Sequence, residues 1–158
     1  MSVTLVLGGA RSGKSAVAER RAGAGAVTYV ATGLAAEMPE RVAAHRARRP
    51  AAWSTVETQN LVRALSESQG TVLVDSLTAW VAAAEGFAVD TDGLCRALAA
   101  HDGHVVVVSD EVGLGVHPST DVGRRFRDAL GLVNQAVAGV ADEVLLVVAG
   151  RALHLDRI

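Results

Sequence analysis

The 158 residues and 16.3 kDa of this chain leave room for about one domain. Half of the residues are hydrophobic and 20% are charged, which excludes wholesale disorder, and no apolar run reaches the length of a membrane span. A net charge of −2, with two Trp, one Tyr and two Phe, disfavours a nucleic-acid partner. Met1 starts no secretory pattern and Cys95 stands alone, so we expect a cytoplasmic protein.

Short apolar runs rich in β-branched residues alternate with helical patterns along the chain. Because the runs lack clean polar alternation, they predict strands buried on both faces of a mostly parallel sheet. A short final run, Leu153–Leu155, predicts an antiparallel edge strand. The predicted strands are Val3–Leu7, Val27–Ala31, Thr71–Asp75, His104–Ser109 and Glu143–Ala149, and the predicted helices are Ser15–Arg21, Glu40–Arg49, Gln59–Ser66, Thr91–Ala100 and Asp121–Ala138. This alternation predicts one three-layer α/β domain over residues 1–158.

A phosphate-binding loop directly follows the first predicted strand. The motif G-x-x-x-x-G-K-[ST] is matched by Gly8, Gly9, Ala10, Arg11, Ser12, Gly13, Lys14 and Ser15. Glycines let backbone N–H groups curl around a phosphate, and the following helix adds its positive N-terminal end. Of the 15 Lys and Arg residues only Lys14 is a lysine. We expect it to reach the β- and γ-phosphates of a nucleotide.

An acidic residue closes the third predicted strand and suits a role at a metal site. Ligands of such sheets bind beyond the carboxyl ends of the strands, where Asp75 follows Thr71–Val74. Together with the hydroxyl of Ser15, Asp75 is therefore predicted to orient Mg²⁺ on the nucleotide. The alternative is an ordinary helix-capping aspartate, since Ser76 and Thr78 follow.

A basic segment around a histidine is the second candidate for phosphate chemistry. Arg41, His45, Arg48 and Arg49 share one face of the predicted helix, and Arg46 is adjacent. Such a concentration of like charges favours a polyanionic partner. Neighbouring guanidinium groups also favour a neutral imidazole, which could attack an α-phosphate and form a phosphoramidate. The alternative is an exposed histidine in a solvated basic helix.

A series of motifs, which begins with the phosphate loop and the basic segment above, extends along nearly the whole chain. Together these motifs resemble those of the bifunctional adenosylcobinamide kinase/adenosylcobinamide-phosphate guanylyltransferase family. The resemblance implies a RecA-like P-loop NTPase fold and a homotrimer with nucleotide sites near subunit boundaries. It also implies phosphorylation of adenosylcobinamide by ATP or GTP, followed by transfer of GMP from GTP to adenosylcobinamide phosphate. The motifs are Gly8–Ser15, Tyr29–Thr32, His45-Arg46, Arg49-Pro50, Trp53, Thr55, Glu57, Val74–Thr78, Asp110–Pro118, Phe126–Asp128, Val133–Gln135 and Ala141–Val144.

The same resemblance assigns roles to individual residues. It implies that His45 becomes guanylylated and that Lys14 serves the phosphate chemistry. Nucleotide binding is implied for Gly8–Ser15, Ala31, Thr32, Gly33, Arg46, Ala47, Arg48, Arg49, Glu57 and Asp75. This chain departs from the family at Asp110 and His117, where Asn and Ile or Val are usual, and in a short stretch between Trp80 and His104 that bears on corrinoid affinity.

Three questions remain open at the level of the sequence: the function, the role of Glu111 and the strand order. The chain could be a single-activity small-molecule kinase without a covalent GMP intermediate, or a nucleotide-binding switch that acts through a partner. Glu111 could be a base for the acceptor hydroxyl or part of a polar network beneath its loop. The spacing of the elements does not distinguish a RecA-like strand order from that of nucleotide kinases.

Overall fold

A seven-stranded sheet forms the centre of the protein, whose computed structural model describes residues 1–33, Ala47 and residues 49–158. The strands run in the spatial order β3-β2-β4-β5-β1-β6-β7, and every neighbouring pair is parallel except β6 and β7. They are β1 (Ser2–Gly8), β2 (Val27–Ala31), β3 (Trp53–Glu57), β4 (Thr71–Asp75), β5 (His104–Asp110), β6 (Glu143–Val148) and β7 (Arg151–His154).

Helices cover both faces of this sheet unequally. Among the described helices, α1 packs on one face and the others pack on the opposite face. They are α1 (Lys14–Ala22), α2 (Leu61–Glu67), α3 (Leu77–Ala83), α4 (Thr91–Ala100) and α5 (Asp121–Val140), with a short 3-10 helix at Glu85–Phe87. The parallel sheet between two helical layers confirms the predicted three-layer α/β architecture.

Alternation along the strands divides the core into two parts. In β1, the side chains of Leu5 and Leu7 join the layer of α2 to α5, whereas Val6 joins the layer of α1. All three are nearly inaccessible to solvent, and burying such a side chain contributes roughly 1.5–3 kcal/mol. This is why the strands read as continuous apolar runs rather than as alternating ones.

The long helix α5 follows the predicted apolar stripe along most of its length. Its N-cap is Thr120, whose hydroxyl accepts a hydrogen bond from the backbone N–H of Gly123 at 3.1 Å. Leu130, Val133 and Val137 are buried against the sheet, but Val122, which also falls on the stripe, is 61% exposed. The first turn of α5 therefore extends beyond the core.

The sequence patterns did not predict two elements. Strand β3 lies at the edge of the sheet and exposes most of its side chains, so it lacks an apolar run. Helix α3 contains only seven residues and directly follows β4. The predicted helix at 59–66 begins instead at Leu61, because Asn60 caps it by accepting from the N–H of Arg63 at 3.0 Å. Most of the helix predicted for Glu40–Arg49 lies outside the described residues.

The parallel register brings the ends of several strands together at one edge of the sheet. Gly8 of β1 lies beside Asp110 of β5, and Ala31 of β2 lies between Glu57 of β3 and Asp75 of β4. This is the edge at which ligands of parallel α/β sheets bind. Within the described part of the chain, every helix is too short or too polar to cross a bilayer.

Candidate active site

The loop between β1 and α1 has the shape of an anion cradle. Gly13 adopts a left-handed conformation with φ of 92°, and helix α1 starts at the next residue. The loop closes on itself through the N–H of Ser12, which donates to the carbonyl of Gly9 at 3.3 Å. A backbone hydrogen bond from a residue distant in sequence also supports the loop: the N–H of Gly150 donates to the carbonyl of Ser12 at 2.7 Å. The positive end of α1 thus faces the space enclosed by the loop.

Two positions in this loop have no room for a side chain. A Cβ at Gly8 would lie 2.5 Å from the hydroxyl oxygen of Ser12 and 2.8 Å from the carbonyl oxygen of Val147. A Cβ at Gly13 would approach the Cα of Gly150 to 3.1 Å, in addition to its positive φ. The Ser12 hydroxyl is buried and has no hydrogen-bond partner among the described residues. Such a buried hydroxyl fits a phosphate oxygen as its partner.

The side chain of Lys14 is folded into the loop. Its ammonium group lies 2.5 Å from a carboxylate oxygen of Asp110 and donates to the carbonyl of Gly9 at 3.2 Å. The lysine is only 9% exposed. The ammonium group of Lys14 therefore lies, paired with Asp110, at the place where the strand ends of β1 and β5 meet.

The two acidic residues at the end of β5, Asp110 and Glu111, have different surroundings. The carboxylate of Glu111 accepts the N–H of Gly113 at 2.8 and 3.1 Å, so it stabilises the turn that follows the strand. This contact supports the polar-network interpretation of Glu111 rather than the general-base one. Asp110 instead faces Lys14. Sequence reasoning gave Asp110 no role, because the pairing of β1 with β5 could not be read from the order of elements along the chain.

Asp75 lies at the end of β4, two strands away from the loop, because β5 is inserted between β4 and β1. Tyr29 of β2 is 3% exposed and donates its hydroxyl hydrogen to the Asp75 carboxylate. Burial first, and then the Asp75 carboxylate, raise the pKa of Tyr29 well above its usual range. Asp75 does not cap the next helix: that residue is Ser76, whose hydroxyl accepts the N–H of Ala79 at 3.3 Å.

Arg49 joins the basic segment to this acidic strand end. Its guanidinium carbon lies 3.4 Å from the centre of the Tyr29 ring, and its Nη1 donates to the hydroxyl of Thr55 at 3.0 Å. The ring of Trp53 packs beside that of Tyr29, with 6.3 Å between their centres. Arg49, Tyr29 and Asp75 therefore form a continuous chain of contacts beside strands β3, β2 and β4.

The remaining predicted residues near β2 differ in what they offer a ligand. Thr32 is fully buried, and its hydroxyl donates to the carbonyl of Ser76 at 2.6 Å and accepts the N–H of Ser76 at 2.9 Å. It therefore ties β2 to β4 rather than presenting a side chain to solvent. Gly33 and Glu57 are exposed, and Ala31 is half-buried beside Asp75.

The available oxygen atoms suit magnesium, although the described residues contain no ready-made metal cluster of His, Cys, Asp and Glu. Mg²⁺ usually takes one or two protein oxygens and completes its shell with water and substrate phosphates. The hydroxyl of Ser15, which is half-buried at the start of α1, and the carboxylate of Asp75 have this chemistry. The residues present therefore fit the ion.

Three of the predicted residues lie outside the described part of the structure. They are His45, Arg46 and Arg48. Ala47 is described and is exposed. The structure thus brings together Lys14, Ser12 and Gly13 at the loop, and Asp75 with Arg49 through Tyr29.

Comparison with known proteins finds similarity along nearly the whole chain. A family model for cobinamide kinase / cobinamide phosphate guanyltransferase matches residues 4–155. The chain is 39% identical over 165 residues to the bifunctional adenosylcobalamin biosynthesis protein CobP of Pseudomonas aeruginosa, covering 96% of this chain and 95% of the relative. It is 38% identical over 172 residues to the bifunctional adenosylcobalamin biosynthesis protein CobU of Salmonella typhimurium, covering 92% and 95%.

Similar solved structures bear on the fold alone. The flagellar accessory protein FlaH from Methanocaldococcus jannaschii has a TM-score of 0.55 at 18% identity, covering 98% of this chain and 77% of that one. An ATPase from a bacterial type III secretion system has a TM-score of 0.57 at 13% identity, covering 92% and 50%. The predicted P-loop NTPase fold is confirmed, and the strand order left open by the sequence has β5 between β1 and β4.

Proposed function

This chain belongs to the cobinamide kinase / cobinamide phosphate guanyltransferase family, and from that premise we propose that the loop of Gly8–Ser15 serves both of the reactions in that name. The protein is a bifunctional enzyme of adenosylcobalamin biosynthesis. The observation that carries the proposal is the buried Lys14 side chain at the positive end of α1, in the same loop as the Ser12 hydroxyl, which has no hydrogen-bond partner among the residues that the structure describes. Both features suit the oxygens of a nucleotide triphosphate.

In the kinase step, the aminopropanol hydroxyl of adenosylcobinamide attacks the γ-phosphate of ATP or GTP. A new oxygen–phosphorus bond forms, the bond to the β-phosphate oxygen breaks, and the nucleoside diphosphate leaves while the hydroxyl proton passes to solvent. Lys14 and the loop N–H groups stabilise the charge on the transferring group. Ser15 and Asp75 would hold Mg²⁺, which neutralises phosphate charge when bound.

In the guanylyltransferase step, His45 attacks the α-phosphate of GTP and pyrophosphate leaves. The phosphate of adenosylcobinamide phosphate then attacks the phosphorus of the guanylylated histidine, which yields adenosylcobinamide-GDP and frees the imidazole. The covalent intermediate divides one difficult displacement into two easier ones. It also lets pyrophosphate depart before the bulky second substrate approaches.

Arg49 supports a site that includes the basic segment. The four peptide links between positions 45 and 49 span at most about 14 Å. Arg49 itself is anchored on Tyr29, whose hydroxyl contacts Asp75. We assign Arg46, Arg48 and Arg49 to the phosphates of GTP, and Ala31–Gly33, Ala47 and Glu57 to the remainder of the nucleotide site.

The proposal extends to the organisation of the enzyme. Residues 1–158 form one kinase/guanylyltransferase domain, which assembles as a homotrimer in the cytoplasm with nucleotide sites near the subunit boundaries. Sedimentation equilibrium of the protein at several concentrations measures the assembly. A monomer at all of them would contradict the homotrimer.

The test is covalent capture of GMP. The protein is incubated with Mg²⁺ and GTP labelled at the α-phosphate and is then denatured. We expect label that survives base, is lost in acid as a phosphoramidate is, and is absent from His45→Asn. The matched control is His154→Asn, which changes an exposed histidine of the edge strand β7 and should keep the label.

Two outcomes separate this proposal from its rivals. Kinase activity without a protein-bound label would favour the single-activity kinase. Lys14→Ala should abolish both labelling and kinase turnover, because both need the triphosphate in the loop. Unchanged turnover in Lys14→Ala would contradict the assignment of the phosphate site.

A further inference from the structure

The strongest unexplained contact at the site is the ion pair between Lys14 and Asp110. Their charged atoms lie 2.5 Å apart, and their side chains are 11% and 30% exposed. A charge-assisted hydrogen bond of this kind is among the stronger polar contacts in proteins. With the further bond to the carbonyl of Gly9, two of the three ammonium hydrogens of Lys14 are engaged inside the protein.

The backbone of Asp110 is held firmly in front of the lysine. Its N–H donates to the hydroxyl of Thr78 in α3 at 2.9 Å, and its carbonyl accepts the side-chain amide of Asn134 in α5 at 3.0 Å. Asp110 also ends β5 in register with Gly8 of the phosphate loop. Two helices and the sheet thus hold the backbone of Asp110, while its carboxylate remains partly exposed.

Phosphate oxygens need the same ammonium group that Asp110 contacts. A carboxylate left beside a triphosphate would repel it, so the two anions compete for Lys14 when nucleotide is bound. We propose that Asp110 is a positioning residue that holds Lys14 in the absence of nucleotide and releases it to the terminal phosphates when nucleotide binds. This inference rests on the proposed function, in which Lys14 contacts those phosphates.

The exchange makes Asp110 a determinant of nucleotide affinity. Asp110→Asn keeps the shape of the side chain and the backbone contacts but removes the competing charge. We expect its dissociation constant for ATP or GTP to fall about tenfold. The unaltered protein must break the ion pair between Lys14 and Asp110 before Lys14 can contact phosphate, whereas the variant need not. The kinase KM should fall in parallel, without a rise in kcat.

A matched control separates this effect from a general change in net charge. Asp128→Asn removes one acidic charge from the surface of α5, where Asp128 pairs with Arg127 at 2.8 Å. Its dissociation constant for nucleotide should equal that of the unaltered protein. A second variant, Asp110→Ala, should also bind more tightly, because it removes the same carboxylate.

The single lysine of the chain provides a readout that does not depend on activity. Protein labelled with ¹⁵N at lysine Nζ gives one side-chain signal, which belongs to Lys14. In the absence of nucleotide, this signal should differ between the unaltered protein and Asp110→Asn. With saturating nucleotide, the two signals should converge, because Lys14 then contacts phosphate in both proteins.

The results distinguish this inference from the proposed function. If Asp110→Asn and Asp110→Ala bind nucleotide equally or more weakly than the unaltered protein, or if the lysine signal is unaffected by Asp110→Asn, the inference is wrong while the proposed function stands. If the unaltered protein binds no nucleotide, or Lys14→Ala binds it equally well, the proposed function fails and this inference fails with it.

Discussion

Tyr29 is the only tyrosine of the chain, which makes its unusual surroundings directly measurable. Burial and the Asp75 carboxylate raise the pKa of its hydroxyl above the ordinary value of about 10. We therefore expect no phenolate absorbance in the folded protein at pH 10 to 11, and a normal titration near pH 10 in denaturant.

The raised pKa of Tyr29 also fixes the direction of a stability change. The contribution of the neutral hydroxyl is fully present below about pH 10 and declines above it, since only the unfolded state ionises readily there. Tyr29→Phe should flatten this part of the curve of unfolding free energy against pH. Phenolate formation near pH 10 in the folded protein would contradict the buried contact with Asp75.

At the scale of single residues, the roles of residues that lie together in one sequence motif could be predicted. Contacts between side chains that only strand pairing brings together could not. The glycines, Lys14 and Ser15 of the loop stand together in the sequence, so their joint role could be inferred. Asp110 meets Lys14 only because β5 pairs with β1. The contact between Tyr29 and Asp75 depends in the same way on the pairing of β2 with β4.

At the scale of elements, helix α5 offers a matched pair of leucines two positions apart. Leu130 is completely buried against the sheet, whereas Leu132 is 68% exposed. Leu130→Ala should lower the free energy of unfolding by about 2–5 kcal/mol, because it leaves a cavity in the core. Leu132→Ala should change it by no more than about 0.5 kcal/mol. Chemical denaturation of both variants measures the difference, and equal effects would contradict the orientation of α5.

The elements that the sequence predicted are those whose burial imposes a pattern. Strands β1, β4 and β5 are covered on both faces and therefore appear as apolar runs. Strand β3 is an exposed edge whose side chains carry no such constraint, and α3 is too short to establish a helical period. The predicted apolar stripe of α5 includes Val122, which is exposed, because periodicity does not indicate where the surface that the helix packs against ends.

At the scale of the whole molecule, nucleotide binding should be visible as stability. A ligand at 100 times its dissociation constant adds about 2.7 kcal/mol to the folded state. We expect Mg²⁺ with ATP or GTP to raise the midpoint of thermal unfolding by several degrees. Lys14→Ala should lose this shift. Arg63→Gln, which breaks an exposed ion pair with Glu67 on α2, should keep it. An equal shift in Lys14→Ala would indicate a nucleotide site elsewhere.

The hydrogen bond from Gly150 to Ser12 joins two segments at the phosphate loop that are far apart in sequence. The polypeptide must therefore be synthesised as far as Gly150 before this support exists, although the loop motif itself is translated much earlier. A nascent chain that stops before Gly150 would contain the complete phosphate-loop motif but lack the hydrogen bond from Gly150 that supports the loop. Competence to bind ATP or GTP should accordingly arise only after Gly150 has been synthesised.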